Sequence, residues 1–344
     1  QPAMRRRTLL GGVAGLSVTF GALSAGCSAI PVIPRRPLPQ AADGLGWIRH
    51  RQGRFDLFVP CAEMGQHIGS ALRRIAAAEL GVPTDRIAVR LPSSRDIARV
   101  KATVGSDSLK DFALPLAQAC ATLREALAAG RGDGQLDAAP RPREQLRSLR
   151  AGAAAAADGA RADLVAIATG APLYAADMRL PGMVYGRVLR APVSPGLASR
   201  PASWNESAAR RQAGFVAVVA DPRLQHANTL GLGLVAETPG ALDRIEQALA
   251  VRWQIEGGFT PPEMEATLDI DRHLAAGALR HRLRRDALDQ QATWPIDLRI
   301  DLPFAAHASI EPRAALAHVE TDAAGNDRLQ VHTGTQDLFY VRDV

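Results

Sequence analysis

Cysteine is scarce in this chain: Cys27, Cys61 and Cys120 are the only three among 344 residues. They form no C-x-x-C pair and no cluster with metal-ligand spacing. An iron–sulfur cluster needs several thiolates, so none is held by this chain. Aromatic residues make up only 4% while alanine is abundant, so the core is largely aliphatic. Few aromatics also means no platform on which bases could stack. The net charge of +6 would by itself suit a polyanion. The arginines, however, are dispersed or lie in short runs such as Arg280–Arg285, with no aromatic interleaving. A solvated arginine-rich surface follows, and no nucleic-acid partner. Long apolar runs are missing too, since the N-terminal one is too short and glycine-rich for a stable transmembrane span. What remains, 47% hydrophobic and 22% charged, is a globular chain of two or three domains.

Residues 1–29 read as an export signal. Arg5, Arg6 and Arg7 precede a mildly apolar, glycine- and alanine-rich run to Gly26, the pattern of a twin-arginine signal. That route carries folded proteins to the periplasm, as a chain that acquires a buried cofactor in the cytoplasm would need. Leu23-Ser-Ala-Gly-Cys27 also resembles a lipobox, which would anchor the chain to a membrane through Cys27. Residues 30–45 hold a proline-rich extended tether.

The stretch from Val59 to Leu109 organises the chain beyond the tether. Phe55 to Val59 is a short apolar strand closed by Pro60, and Gly65 and Gly69 break the pattern where the backbone bends or a ligand approaches closely. Leu72, Ile75, Ala76 and Leu80 then fall at helical spacing from Ser70, and Gly81 followed by Pro83 ends the helix. Ile87 to Leu91 is a second strand, and Thr103-Val-Gly-Ser-Asp-Ser108 a second glycine turn. A Gly-Gln pair ahead of a helix offers an amide and backbone N–H groups suited to a polyanionic or heteroaromatic ligand. An ordinary strand–helix–strand connection with a tight turn explains the same spacing.

E-M-G-Q, a helix ending A-x-E-L-G-V-P-x-D-R-I, and T-V-G-S-x-S together resemble a molybdopterin-binding segment of the molybdenum hydroxylases, the xanthine dehydrogenase and aldehyde oxidase superfamily. Its early position resembles the permuted isoquinoline 1-oxidoreductase branch. Family members read M-G-Q-G-x-x-T, where this chain has His67 for the last glycine and Ser70 for the threonine. Gly170-Ala-Pro-Leu-Tyr through Ala191-Pro192 resembles the opening of the family's small α/β domain. Ala305-Ala-His-Ala-Ser-Ile-Glu-Pro312, followed by an outer strand and Thr335-Gln336, resembles the start of its main domain.

The resemblance covers nearly everything after the signal and implies an α+β fold: molybdopterin-binding segments of mixed strands and helices, plus a small α/β hammerhead-like domain. It implies Gly65, Gln66, Ser106 and Ser108 as pterin contacts and Gln336 as a hydrogen-bond donor on the metal side. Family members continue into a glycine-rich loop and a general-base glutamate, neither of which this sequence contains, so it reads as an N-terminal fragment, inactive alone. The implied cofactor is molybdopterin in its cytosine dinucleotide form. The implied partners are a small subunit carrying iron–sulfur clusters, a c-type cytochrome, and an aldehyde or N-heterocycle oxidised with water as the oxygen source. The competing reading is a non-catalytic exported or lipid-anchored protein of the same fold.

In chain order, this gives a molybdopterin-binding segment over 46–129, a low-complexity linker over 130–169 and the small α/β domain over 170–258. A connector over 259–295 and the start of the main domain over 296–344 complete the order. Within them, residues Phe112 to Ala129 form a helix on whose apolar side Cys120 is a buried small hydrophobe. Tyr174 and Asp177 fix a turn by hydrogen bonds, and His307 with Glu311 is a structural pair rather than a metal or acid/base site.

Overall fold

Gln52 and Gly53 both take positive φ, 47° and 76°, and fold two short strands back on each other. These are β2 (Ile48–Arg51) and β3 (Arg54–Phe58), paired antiparallel from Ile48↔Leu57 to Arg51↔Arg54. The computed structural model describes residues 38–131, 134–138, 140–150, 163–191, 196–276 and 313–343, together with 16–17 and positions 295, 298, 300, 302 and 311. Outside the described residues lie the export signal apart from Leu16–Ser17, the lipobox Cys27, the tether up to Arg36 and Pro37, Ala153–Ala157, Arg280–Arg285 and His307. Leu16–Ser17 form a two-residue strand, β1, parallel to Gly134–Gln135.

The chain forms two units, 1–178 with 309–344, and 179–308. In the larger one, α1 (Ala41–Trp47) leads into the hairpin, and β3 is followed by α2 (Ile68–Leu80) and β4 (Ile87–Arg90). β3 and β4 pair in parallel, Phe55↔Ile87 through Phe58↔Arg90, so this is a strand–helix–strand unit, with β2 as the third strand. Leu72, Ile75, Ala76 and Leu80 are all buried, on the face that the periodicity predicts. Gly81, at φ 72°, ends the helix and donates its N–H to Ala77 O at 2.9 Å.

Next comes α3 (Ser108–Ala128), which packs against both α1 and α2. Gly44 of α1 lies so close to it that a Cβ there would sit 2.3 Å from Pro115 O. Glycine is needed at that position for space. Trp47, Leu57, Leu72, Phe112 and Leu116, each at most 1% exposed, centre the core, and Cys120 is completely buried within it. β5 (Gly134–Gln135) and a five-residue helix, α4 (Leu164–Ala168), complete this part. At the turn after it, Asp177 accepts from Leu173 N and Tyr174 N at 3.2 and 3.1 Å, so the Tyr174 contact is made by its backbone.

The smaller unit contains β6 (Tyr185–Leu189), β7 (Leu197–Ser203), α5 (Glu206–Arg210), β8 (Phe215–Val219), β9 (Gln225–His226), β10 (Thr229–Leu230) and β11 (Leu232–Ala236). α6 (Pro239–Leu249), β12 (Arg252–Gly257), α7 (Pro261–Leu268) and α8 (Ile270–Ala275) come after them. One sheet has the order β6-β11-β8, all antiparallel, and a second has β12-β7-β10-β9. Leu232, Leu234 and Ala236 of the first sheet are buried with Leu242, Ile245 and Leu249 of α6. Thr238 caps that helix by accepting from Ala241 N at 3.1 Å, with Pro239 at the first helical position.

Residues 313–343 belong to the larger unit. β13 (Ala315–Thr321) and β14 (Asp327–Thr333) form an antiparallel hairpin whose turn Asp322 ties by accepting from Ala324 N and Asn326 N, both at 2.9 Å. The chain then enters α9 (Leu338–Asp343), where Phe339, 1% exposed, inserts into the core built by α1, α2 and α3. The architecture is a mixed α+β fold.

Candidate cofactor-binding site

Two glycine turns meet at one end of a helix pair. At their C-terminal ends α2 and α3 are joined by Glu79 and Arg124, and ahead of their N-terminal ends Ala62 N donates to Thr103 Oγ1 at 2.9 Å. The two helices therefore run side by side in the same direction. Their N-termini, the partially positive ends, face the same region.

The first turn, residues 63–67, is exposed, and two of its residues are left-handed: Gly65 at φ 91° and His67 at φ 61°. Around Gly65 there is nothing within 4 Å of an added Cβ, so its glycine answers a conformational need rather than a lack of space. His67, standing where family members have glycine, takes that same conformation. The N–H groups expected to be open to a ligand already have an acceptor within the turn. Glu63 Oε1 accepts from Gly65 N at 3.0 Å and His67 N at 2.9 Å, and Oε2 from Gly69 N at 3.4 Å. Gln66 folds back likewise: its Oε1 accepts from Met64 N at 2.5 Å and its Nε2 donates to Ala62 O at 2.7 Å.

The second turn carries Gly105 at φ 69° and Ser106 at φ 56° just before α3. A left-handed residue followed by right-handed Asp107 points successive backbone N–H groups inward, a geometry suited to anions. Ser106 is exposed, whereas the Ser108 hydroxyl is spent on the buried Cys61 thiol. Burial pushes that thiol up to about 12, with the Ser108 bond and the Lys101 charge acting against the shift. Cys61 is therefore not a thiolate nucleophile. Both lysines of the chain flank this turn. Lys101 pairs with Asp111 and, at 3.4 Å, with Asp107, and Lys110 reaches Asp107 at 3.0 Å. Asp111 holds Lys101 above its ordinary value, while Lys110 and then Lys101 hold Asp107 below its own.

Gln336 meets Thr103, ahead of the second turn, from 233 residues further along the chain. Its backbone O accepts from Thr103 N at 2.8 Å, and its Nε2 donates to Thr103 O at 2.8 Å. Thr103 thus contacts Ala62, next to the first turn, through its hydroxyl and Gln336 through its backbone. Of the residues picked from sequence, Gly65 and Gln66 lie in one turn, Ser106 in the other and Ser108 at the start of α3, while Gln336 is bonded to Thr103. Thr103 and Glu63 open the words T-V-G-S-x-S and E-M-G-Q but were assigned no role. A threonine between alanine and valine gives no signal, but a carboxylate two and four residues ahead of the turn's N–H groups was legible as their acceptor.

Residues 15–173 match a molybdopterin cofactor-binding domain, a span that includes both turns and both helices. A nicotinate dehydrogenase subunit from Pseudomonas putida is 27% identical over 335 aligned residues, covering 81% of this chain and 26% of the relative. The chain thus spans about a quarter of that relative's length.

Proposed function

We propose that the chain is part of a molybdenum hydroxylase, in which it forms the cofactor-cradling part of a large subunit. The observation that carries this reading is the meeting of both glycine turns at the N-terminal ends of two parallel helices inside the molybdopterin-binding match. The donor set fits a pterin: two amides, an exposed hydroxyl and left-handed turns with open space beside Gly65. Glu63 stands in for an anionic group, since three N–H groups of the first turn converge on its carboxylate.

When bound, the molybdenum cofactor supplies the redox centre at which a carbon of the substrate is oxidised, with oxygen drawn from water. This chain's residues bind and orient. Gln66 would exchange its bonds to Met64 N and Ala62 O for the cofactor's polar edge. Ser106 would offer its hydroxyl from the neighbouring turn, and Ser108 would support it from the first position of α3. Gln336, fixed by Thr103, would present its remaining donor on the metal side. The relative's name supports an N-heterocycle as substrate over an aldehyde. The cytosine dinucleotide form, a partner subunit bearing iron–sulfur clusters, electron transfer to a c-type cytochrome, and export to the periplasm, with or without an anchor at Cys27, complete the proposal.

A non-catalytic protein of the same fold is favoured by a specific observation: the Gln66 and Gln336 amides are already engaged by backbone partners. Molybdenum and pterin content of the protein purified from a host that makes the cofactor separates the two. We expect both in the unaltered protein and an approximately ten- to hundred-fold weaker retention in Gln66→Ala, the loss for one buried hydrogen-bonding group. Protein free of pterin, or Gln66→Ala with undiminished content, refutes the cradle.

A further inference from the structure

We propose that Glu63 is the positioning residue of the cradle, the group that shapes the first turn so that Gln66 can meet the cofactor. The inference rests on the cofactor reading above and adds a residue to it. α2 begins without a side-chain cap from its own N-cap residue, His67. Glu63 takes over that task from four residues upstream. One oxygen holds Gly65 N and His67 N, the other reaches Gly69 N in the first turn of the helix. The carboxylate therefore closes the whole segment 63–69 on itself, and its charge lies at the positive end of a 13-residue helix.

The shape so held is not one the backbone prefers. His67, at φ 61°, occupies a left-handed conformation that residues with side chains adopt uncommonly. Two charge-assisted bonds at normal length, on either side of Gln66, hold the turn in that shape. Gln66 lies between the two bonded N–H groups, so its direction is set by the same carboxylate. Removing Glu63 leaves the exposed N–H groups of Gly65 and His67 to water and that of buried Gly69 without its side-chain acceptor, and the turn loses its reason to bend there.

The test compares Glu63→Ala, Glu63→Gln and the unaltered protein, full length and purified from a host that makes the cofactor. Three quantities are read: amide exchange at Gly65, His67 and Gly69; retained pterin, measured as its fluorescent oxidation product; and the thermal midpoint. In Glu63→Ala, exchange at the three amides should accelerate and pterin retention fall, each by about ten- to a hundred-fold. The midpoint should stay within a few degrees, because Glu63 is exposed and outside the core. Glu63→Gln should recover most of the retention, since an amide oxygen still accepts from Gly65 N and His67 N. Full retention in Glu63→Ala, or Glu63→Gln as defective as Glu63→Ala, overturns the proposal. Absence of pterin from the unaltered protein instead removes the cofactor reading, and the cradle with it, while protected amides would leave Glu63 as a cap for the turn alone.

Discussion

Replacing Glu79 with alanine should be among the most damaging single changes in the larger unit. Glu79 is wholly buried near the C-terminus of α2. Arg124 Nη1 of α3 donates to its Oε1 and to its backbone O, both at 2.5 Å. Ser148 N and Oγ both donate to its Oε2 at 2.9 Å. Truncation leaves a guanidinium only 18% exposed without its main partner, and a buried Ser148 N–H without an acceptor. Breaking a buried ion pair costs about 3–5 kcal/mol, and an unsatisfied buried donor costs about 1–3 kcal/mol. These do not add in full, because Arg124 keeps the carbonyl of residue 79 and lies 3.6 Å from Glu125. A loss of about 3–5 kcal/mol is therefore expected, a large part of a typical domain's stability. Glu79→Gln keeps an acceptor for Ser148 and loses only the charge, so it should fall between the parent and Glu79→Ala. Denaturant titration of the three proteins reads the order. A Glu79→Ala protein within about 1 kcal/mol of its parent would refute the account, since that is the size of one ordinary hydrogen bond.

His67→Gly should raise the thermal midpoint and leave pterin content unchanged or higher, because left-handed strain of about 1–2 kcal/mol is relieved and only partly offset by the freer unfolded chain. A lower midpoint would show that contacts of the imidazole outweigh the strain. Gln336→Ala leaves Thr103 O without its side-chain donor and should loosen 313–343 by about 1–3 kcal/mol, seen as faster amide exchange in α9 than in α3. Equal exchange in both helices would count against it. The turn at 101–111 should also respond to pH. Asp107, held low, contributes stability above its ordinary value of 3.8 and loses it as pH falls through its lower folded value. Lys101, held high, contributes below 10.5 and loses it as pH rises through its higher folded value. The amide shifts of Gly105 and Ser106 should thus hold steady near neutrality and move in acid and in strong base. Shifts unchanged from about pH 7 to strong acid would contradict the Asp107 bonds.

The strand–helix–strand unit was legible because its signals agree: apolar spacing from Leu72 to Leu80, then Gly81 and Pro83. The start of α2 was not, because its cap is a carboxylate upstream rather than a residue at the N-cap. α3 begins at Ser108, four residues before its apolar spacing does, since Ser108 to Asp111 form a largely polar first turn. β7 escaped notice for a different reason. Leu197-Ala-Ser-Arg-Pro-Ala-Ser203 lacks a clear alternation and contains a proline, yet pairing with β12 makes it a strand. For the site, the family words pointed to the two turns and Gln336, while the bonds between these segments run through Thr103, whose pairing depends on a contact across 233 residues. No local pattern carries that information.

The charges around the two helix starts limit how this end can recognise a ligand. Glu63 already occupies the positive end of α2, and Asp107 stands at the N-cap of α3 between Lys101 and Lys110. Asp111 then takes Lys101 as well. Each cation and each helix start therefore has a carboxylate of the chain itself beside it. An anion arriving here gains little from charge alone, since it must compete with groups tethered at high effective concentration. Neutral donors and acceptors remain to discriminate: the Gln66 amide, the Ser106 hydroxyl, the backbone of the left-handed turns and the Gln336 amide. A ligand with a broad polar edge and hydrogen-bonding atoms in a fixed pattern suits such a set, and an anionic group would enter by displacing one of these carboxylates. The proposed cradle would therefore hold its cofactor by hydrogen bonds from these groups more than by charge.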